Sequence, residues 1–451
     1  MTPLVIRGAR LLGAGAADLL VVDGLVREVG TVDAPSDADV VDADGLVALP
    51  GLVDLHVHLR EPGREDAETI ATGSAAAAAG GYTAVFAMAN TSPVTDTAEA
   101  AERVLDLGRA CGLTEVVPVG AVTKGLAGAE LAELGLMARS RAKVRVFSDD
   151  GHCVSDARVM RRALEYVKPF GGVVSQHAQD PRLAGPDACC HEGEVSGRLG
   201  LPGWPGIAEE SIVARDVMLA RHTGSRVHVA HVSTAGTVEV IRWAKAQGID
   251  VTAEVTPHHL FLTTDLLGGY DPVYKVNPPL RPAEDVEALR AALADGTIDA
   301  VATDHAPHAR HDKEHAFVDA AFGMLGLETA LPVVSEVMVR SGLLDWAGVA
   351  RVMSANPARI GGLAHQGQAI AVGTPAHLTL VDPDREVTVD AAASRSRSRN
   401  NPWHGRTFRG AVVTTVHAGR VTHDARNGAG SERNSARDTE RELTNATGAH
   451  L

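Results

Sequence analysis

Eight short apolar runs with β-strand character recur between residues 51 and 307, and segments with helical character separate them. The runs are GLVDLHVHL, TAVFAMAN, EVVPVGAVT, KVRVFSDDG, GVVSQHAQ, RVHVAHVS, IDVTAEVTPHH and DAVATDHAP. We predict intervening helices at Glu65–Ala79, Ala157–Lys168, Glu209–Thr223 and Thr234–Gln247. Strands that alternate with helices form parallel sheets, and eight such units over about 300 residues favour an α/β fold of the TIM (β/α)8 barrel type.

The two ends of the chain have a different pattern. Residues 1–50 and 366–425 contain short β-rich runs punctuated by Gly and Asp, which is typical of small antiparallel sheets. We therefore expect both ends to pair into one small composite β-sandwich domain beside a barrel of residues 51–365. The polar, Gly- and Ser-rich tail of residues 426–451 is predicted to be disordered.

The overall charge and hydropathy exclude several classes of partner. A formal net charge of −15 argues against nucleic acid and against anionic membranes. The sequence has no run of about 18 apolar residues that would span a bilayer, and its N-terminus lacks the pattern of a signal peptide. We expect a cytoplasmic protein with reduced cysteines.

Polar residues that can bind metal lie at the C-terminal ends of the predicted strands, where a TIM barrel places its active site. His56 and His58 are two residues apart, so their side chains point to the same face. Each residue alone has an ordinary structural explanation, such as a hydrogen-bonded polar group or a helix cap. Together they indicate a metal centre of the nitrogen and oxygen type that zinc prefers. The set comprises His56, His58, Asn90, Asp149, Asp150, His177, His231 and Asp304.

Longer strings around these residues resemble one family. They are DLHVHLREPG, MANTSPVTD, FSDDG, HEGEVSGRLGLPGWP, EVTPHHL, KVNPPLR and ATDHAPH. In order and spacing, over about residues 1 to 425, they are similar to the long, class I dihydroorotases of the amidohydrolase superfamily. The resemblance implies reversible, zinc-dependent cyclisation of N-carbamoyl-L-aspartate to L-dihydroorotate, a step of de novo pyrimidine biosynthesis.

The resemblance also implies roles for the metal-capable residues. His56, His58 and Asp304 would hold one Zn²⁺, and His177 and His231 would hold a second position. Hydantoinases and short dihydroorotases place a carboxylated lysine at the end of the fourth barrel strand, where this chain has FSDDG. An aspartate must supply the carboxylate, and we prefer Asp150 over Asp149 because its spacing to His177 fits the family better. One or two zinc ions per chain are thus expected, with Asp304 as the catalytic base and then acid.

The expected substrate carries a carboxylate, which needs a cationic or donor-rich pocket. Arg60 lies two residues beyond His58 on the same face, and its guanidinium matches a carboxylate bidentately; a surface salt bridge is the alternative. The resemblance implies further substrate contacts at His58, Asn90, Asn277 and His308 and at the backbone of Phe322 and Gly323.

Two other functions are compatible with this pattern. One is a hydantoinase, dihydropyrimidinase or allantoinase, against which Arg60 and Asp150 argue. The other is an inactive scaffold for aspartate carbamoyltransferase, which would be expected to lack the metal ligands that this chain keeps. A homodimer, and a complex of the active enzyme with aspartate carbamoyltransferase, are both consistent with the resemblance.

Two polar segments keep two interpretations each. Residues Ala309–Val318 come shortly after Asp304, the ligand that follows the eighth predicted strand. They form either a mobile lid that excludes water or an ordinary surface loop. The SRSRSRN stretch at Ser394–Asn400 is either a basic binding patch or, as we favour, a solvated loop.

Overall fold

The computed structural model describes residues 2–426. Its first part contains five strands: β1 (Leu4–Leu11), β2 (Ala16–Val22), β3 (Leu25–Gly30), β4 (Asp39–Asp42) and β5 (Val47–Pro50). β1 pairs antiparallel with β2, and β2 with β3, but β1 pairs parallel with both β4 and β5. The expectation of a small antiparallel sheet at the N-terminus therefore holds for β1, β2 and β3 and is wrong for β4 and β5. β4 and β5 pair with successive halves of β1, on the edge opposite β2, and run in the same direction as β1.

The middle of the chain supplies ten further strands: β6 (Leu52–Val57), β7 (Tyr82–Ala87), β8 (Glu115–Pro118), β9 (Val146–Phe147), β10 (Val173–Gln176), β11 (Cys190–His191), β12 (Gly203–Trp204), β13 (Val227–Val229), β14 (Val251–Val255) and β15 (Ala300–Val301). β11 and β12 pair only with each other, in the long loop after β10. The other eight are parallel and coincide with the eight predicted runs.

Two parallel sheets build the barrel, one of β6, β7 and β8 and one of β9, β10, β13, β14 and β15. Single parallel bridges join their edges, between Gly120 and Phe147 on one side and between Val57 and His305 on the other. The eight strands thus follow one another around a TIM barrel, as the sequence predicts. The core is continuous from the strands into the helices: Val227 and Val251 belong to the same buried cluster as Ile212 and Val217.

The helices are α1 (Ile70–Ala79), α2 (Ala98–Cys111), α3 (Leu134–Arg139), α4 (Ala157–Val167), α5 (Pro181–Ala184), α6 (Glu194–Leu199), α7 (Ile207–Thr223), α8 (Ala235–Ala246), α9 (Ala283–Asp295), α10 (Arg310–Lys313), α11 (Ala330–Val334), α12 (Trp346–Ala350) and α13 (Asn356–Gly361). Three predicted helices agree with α4, α7 and α8 to within two residues. The helix predicted to start at Glu65 starts at Ile70, because the Thr69 side chain caps it and Glu61 accepts the Ile70 N–H at 2.8 Å.

The chain then returns to the N-terminal sheet through β16 (Leu378–Thr388), β17 (Thr407–His417) and β18 (Arg420–Asp424). β16 pairs antiparallel with β5, so both chain ends form one sheet in the order β18-β17-β16-β5-β1-β2-β3. The sheet is tied to the barrel by Thr415 Oγ1, which donates to the Ala78 carbonyl at 2.7 Å. We propose residues 1–50 and 366–425 as one domain and residues 51–365 as the other.

The predicted disordered tail, apart from Arg426, lies outside the described residues. Across residues 2–426, none of the helices combines the length and the apolar character that crossing a membrane requires.

The SRSRSRN stretch is not the solvated loop that we favoured. Ser396, Ser398 and Asn400 are buried, whereas Arg397 and Arg399 are exposed. The buried face binds the barrel: Glu68 accepts the Arg397 N–H at 2.9 Å and also bonds to the Ser396 hydroxyl. Successive side chains of this segment point in opposite directions, so the serines face the barrel and the arginines face outwards.

Candidate active site

Six predicted metal ligands come together at the C-terminal mouth of the barrel. Each lies at the end of a barrel strand or in the residues just after it, and each has a relative exposure of 5% or less. Because the strands are parallel, their C-terminal ends meet at one rim, which brings together residues that are up to 248 positions apart in the chain. The six are His56, His58, Asp150, His177, His231 and Asp304.

Asp150 is the residue that connects these ligands. Its Oδ1 lies 3.2 Å from His56 Nε2 and 3.3 Å from both His177 Nδ1 and His231 Nε2. Its Oδ2 lies 3.2 Å from His58 Nε2. The ligand atoms of His56, His58 and Asp150 lie within 4.8 Å of one another, and so do those of Asp150, His177 and His231. Asp150 can therefore reach two adjacent metal positions.

The two neighbouring carboxylates behave differently. Asp304 Oδ1 lies 3.1 Å from His58 Nε2 and 3.6 Å from His56 Nε2, on the side of the first cluster. Asp149 instead accepts the backbone N–H groups of Val122 and Thr123 at 2.8 and 2.9 Å. Of the two adjacent aspartates, only Asp150 faces the histidines.

Three site residues have a left-handed backbone. The φ angles are 61° at Arg60, 31° at His231 and 47° at Asp304. Such conformations cost about 1–3 kcal/mol each for residues other than glycine and concentrate at functional sites. Here they follow the ends of the strands, where the backbone must turn while the side chain still points into the mouth of the barrel.

Three histidines are oriented by a partner on the ring nitrogen that faces away from the cluster. His56 Nδ1 bonds to Glu254 Oε1 at 3.0 Å, and His58 Nδ1 bonds to Asn90 Oδ1 at 2.9 Å. His177 Nε2 bonds to Gln179 Oε1 at 2.7 Å. Such partners fix the tautomer and the ring direction of histidine ligands. The remaining nitrogen of each ring is left with a lone pair towards the centre.

The electrostatics of the cluster favour a cation. Burial alone would lower the pKa of His56, but Asp150 and Asp304 raise it well above its usual value. Burial would raise the pKa of Asp150, but His56, His177 and His231 hold it well below its usual range. His56 Nε2 is buried and has no hydrogen-bond partner among the described residues. A buried imidazole nitrogen beside two ionised carboxylates is a position where a metal ion can take the place of the proton, so the site is suited to a metal cofactor.

Arg60 points inwards rather than into a surface salt bridge. Its Nε donates to the Pro307 carbonyl at 3.0 Å, and its Nη2 lies 3.4 Å from His308 Nε2. Burial and the neighbouring Arg64 lower the pKa of Arg60 to about 10, so the guanidinium is charged at neutral pH. Within residues 2–426 it forms no ion pair with a carboxylate, which leaves its charge available to an anionic substrate.

The other predicted substrate contacts surround Arg60 and the metal ligands. His308 Nε2 donates to the Phe322 carbonyl at 2.6 Å, so its Nδ1, buried and without a hydrogen-bond partner in the described chain, is an acceptor. Asn277 Nδ2 donates to Gln179 Oε1 at 3.1 Å, and its Oδ1 is likewise buried and unpartnered there. A cavity of about 600 Å³ opens beside His308.

Gly323 must be glycine at this place. Its φ is 134°, and a Cβ would lie 2.7 Å from the Cβ of Ala306 and 3.0 Å from His308 Nε2. The Phe322–Gly323 backbone therefore passes directly against the predicted substrate pocket.

Sequence reasoning missed several residues that support the ligands. Glu254 is 1% exposed and orients His56. Gln179 joins His177 to Asn277, because its Oε1 bonds to both side chains. His258 is buried beside the cluster, its Nε2 has no hydrogen-bond partner among residues 2–426, and burial lowers its pKa to about 4. The EVTPHHL string contained both Glu254 and His258, but period and spacing alone do not show which side chains turn inwards.

Comparison with known proteins agrees with this arrangement. The model of a family described as dihydro-orotase-like matches residues 45–237, and that of the amidohydrolase family matches residues 203–422. The chain is 61% identical to the dihydroorotase of Streptomyces coelicolor over 422 residues, which are 94% of this chain and 98% of that protein. It is 58% identical to the dihydroorotase of Mycobacterium tuberculosis over 421 residues, 93% and 98% of the two chains.

A solved structure matches over nearly the whole fold. The L-hydantoinase (dihydropyrimidinase) of Arthrobacter aurescens superposes with a TM-score of 0.83 at 27% identity, covering 93% of this chain and 96% of that one.

The histidines and aspartates meet at the mouth of a barrel of the amidohydrolase type. This arrangement defines the chain as a metal-dependent cyclic amidohydrolase. Identities of 57–61% to several curated relatives over more than nine-tenths of the chain narrow the class further. The chain belongs to the dihydroorotase family. The predicted resemblance, the barrel fold and the dihydroorotase function expected from them are thereby confirmed.

Proposed function

We propose that this chain catalyses the reversible conversion of N-carbamoyl-L-aspartate to L-dihydroorotate in de novo pyrimidine biosynthesis, with zinc as its metal. The observation that carries the substrate assignment is Arg60. Its charged guanidinium lies two residues from His58, points into the site and has no carboxylate partner within residues 2–426. A substrate carboxylate beside the reacting amide would complete this site.

The residues present fit one or two zinc ions. His56, His58 and Asp304 would hold the first, and His177 and His231 the second. Asp150 would contact both, because its Oδ1 lies beside His56 as well as beside His177 and His231, and its Oδ2 lies beside His58. When bound, zinc polarises the amide carbonyl and makes water a stronger nucleophile at neutral pH. Imidazole and carboxylate are the ligands that zinc takes in sites of this kind.

Asp304 would move the proton. Burial would raise its pKa, but His56 and His58 hold it below its usual range, so the carboxylate is ionised and can accept the proton of the attacking water. It then delivers that proton to the amide nitrogen as the C–N bond breaks. In the direction of ring closure the nitrogen attacks the carbon of the protonated carboxyl group, Asp304 receives the nitrogen's proton, and Asp304 passes that proton to the departing hydroxyl group, which leaves as water.

The remaining residues would bind and orient the substrate. Arg60 and the Nδ2 group of Asn90 suit the carboxylate, and His58, whose Nδ1 bonds to Asn90 Oδ1, would be a further contact. His308 presents an acceptor at Nδ1, which suits a substrate N–H, while its Nε2 holds the Phe322 carbonyl. The ring would rest against Asn277 and the backbone of Phe322 and Gly323.

The test compares substrates on one metal-loaded sample. We expect turnover of dihydroorotate and of N-carbamoyl-L-aspartate, with hydantoin, dihydrouracil and allantoin slower by at least a hundredfold. Faster turnover of hydantoin than of dihydroorotate would overturn the assignment in favour of a hydantoinase. Metal analysis of the same sample, before and after chelation and after addition of Zn²⁺, tests zinc: activity should be lost and then return.

Three further expectations are proposals of the same kind. We propose a homodimer, an association with aspartate carbamoyltransferase and a cytoplasmic location. Light scattering of the chain alone and mixed with the transcarbamoylase would test the first two, and fractionation of cells would test the third. The presence of all six ligand residues supports an active partner rather than an inactive scaffold.

A further inference from the structure

We infer that Lys313 is a positioning residue for substrate binding, because its amine fixes the backbone of residues 321–323. The inference rests on the proposed function, in which Phe322 and Gly323 contact the ring of the substrate. Lys313 ends α10, within the Ala309–Val318 segment that the sequence left open as a lid or a surface loop.

The amine of Lys313 reaches across to the segment that follows. Its Nζ donates to the Ala321 carbonyl at 2.8 Å and to the Gly323 carbonyl at 3.0 Å, and it lies 3.4 Å from the Lys275 carbonyl. Within residues 2–426 it forms no ion pair. A half-buried amine that bonds only backbone carbonyls holds the position of those carbonyls, since the described residues offer it no other hydrogen-bond partner.

Lys275 braces the same segment from the other side. The Gly323 N–H donates to the Lys275 carbonyl at 2.9 Å, and the Lys275 amine donates to the Val318 carbonyl at 2.8 Å. The same amine lies 4.3 Å from the centre of the Phe322 ring, at a distance typical of a cation–π contact. The Phe322 side chain is therefore held as well as its backbone.

Asn400, the last residue of the SRSRSRN stretch, is the third brace. Its Nδ2 donates to the Ala306 carbonyl at 2.9 Å and to the Gly323 carbonyl at 3.1 Å. Its Oδ1 accepts the His308 N–H at 3.2 Å. Asn400 thus links Gly323 to His308, two of the proposed substrate contacts, and the Gly323 carbonyl is shared between Asn400 and Lys313.

These bonds decide which backbone groups remain for a ligand. The carbonyls of Ala321, Phe322 and Gly323 are bound by Lys313, His308 and Asn400, and the N–H of Gly323 is bound by Lys275. In the described part of the chain the N–H of Phe322 has no protein acceptor. Lys313 therefore keeps the segment turned so that one N–H donor, rather than a row of carbonyls, is free for the substrate.

The experiment is steady-state kinetics of the zinc-loaded, full-length enzyme with dihydroorotate. In Lys313→Met we expect KM to rise at least tenfold while kcat stays within threefold and metal content is unchanged. Lys313→Arg, which keeps N–H donors at the end of a long side chain, should return KM to within threefold of the wild-type value. Lys168→Met is the matched control, because the Lys168 amine also donates to a backbone carbonyl, that of Thr223 at 3.0 Å, but on the outside of the barrel.

An unchanged KM in Lys313→Met, or a loss of kcat without a change in KM, would overturn the inference. Equal kinetic losses in Lys313→Met and Lys313→Arg would do so too. If Lys313→Met does not fold, Asn400→Asp replaces it: a carboxylate oxygen facing two carbonyls should give the same rise in KM, and an unchanged KM would count against the inference. Wild-type enzyme without dihydroorotate turnover would overturn the proposed function and this inference together, whereas an active wild type with an unaltered variant overturns only the inference.

Discussion

Glu254 accepts a hydrogen bond from His56 Nδ1 at 3.0 Å and another from His228 Nε2, also at 3.0 Å. Burial would raise the pKa of this carboxyl, but the two imidazoles lower it to about 2, so Glu254 is ionised. An ionised acceptor keeps the proton of His56 on Nδ1 and leaves the Nε2 lone pair for a metal ion. Glu254 therefore sets the tautomer of His56, one of the six proposed metal ligands, although Glu254 does not belong to that set.

The first prediction concerns this support. Glu254→Gln removes the charge and leaves an amide that can accept from one histidine only. Metal affinity should fall about 10–100-fold, the range found for partners of histidine ligands, as measured by competition with a chelator. Glu115→Gln is the control, because its carboxylate also bonds a histidine, His365, at 2.7 Å, but at the opposite end of the barrel. Equal affinities in both variants and the wild type would contradict the role of Glu254.

The second prediction separates two adjacent aspartates. Asp150→Asn should lose most of its metal, because its oxygens lie within 3.3 Å of four histidine nitrogens, and its activity should fall at least a hundredfold. Asp149→Asn should keep the metal but lose about 1–3 kcal/mol of stability, because its carboxylate accepts two backbone N–H groups. Metal analysis and denaturant midpoints measure the two effects. The opposite pattern would move the carboxylate role to Asp149.

The third prediction concerns substrate selection by Arg60. Arg60→Met should lower kcat/KM for dihydroorotate at least tenfold, since a hydrogen bond to a charged group is worth about 1.5–3 kcal/mol. Metal content should not change, and dihydrouracil, which has no carboxylate, should lose little from its low rate. Arg64→Met is the control, because Arg64 pairs with Asp312 outside the site. Unchanged kinetics with dihydroorotate would withdraw the carboxylate pocket and favour a hydantoinase.

Much of the fold could be predicted because strand and helix periods differ and because a barrel repeats one unit eight times. The details that failed depend on contacts that a local pattern does not contain. The start of α1 was misplaced because the Thr69 cap competes with the helical pattern before it. The parallel pairing of β4 and β5 with β1 depends on which edge of β1 is free after β2 has paired.

In the candidate site, too, the features set by a local pattern could be predicted and those set by contacts between distant residues could not. The six ligands could be predicted because each follows a strand, and parallel strands deliver their ends to one place. Glu254 could not, because whether a strand residue faces a histidine from another strand depends on register around the barrel. The burial of Asn400 was missed for a similar reason: its partners are contributed by the loop after β15, which is distant in sequence.

The last prediction concerns pH and Lys313. Burial, helped by the charge of Lys275, lowers the pKa of Lys313 from 10.5 to about 7. Between pH 7 and 10.5 the unfolded chain then binds a proton that the folded chain does not, so this residue adds stability as pH rises, by up to about 1.4 kcal/mol per unit. The carbonyls around the amine favour its charged form and reduce that slope without changing its sign. The unfolding free energy of the wild type should therefore increase relative to that of Lys313→Met between pH 7 and pH 9, as measured from denaturant midpoints. A constant or falling difference for Lys313→Met would show that the amine stays charged in the folded protein throughout this range.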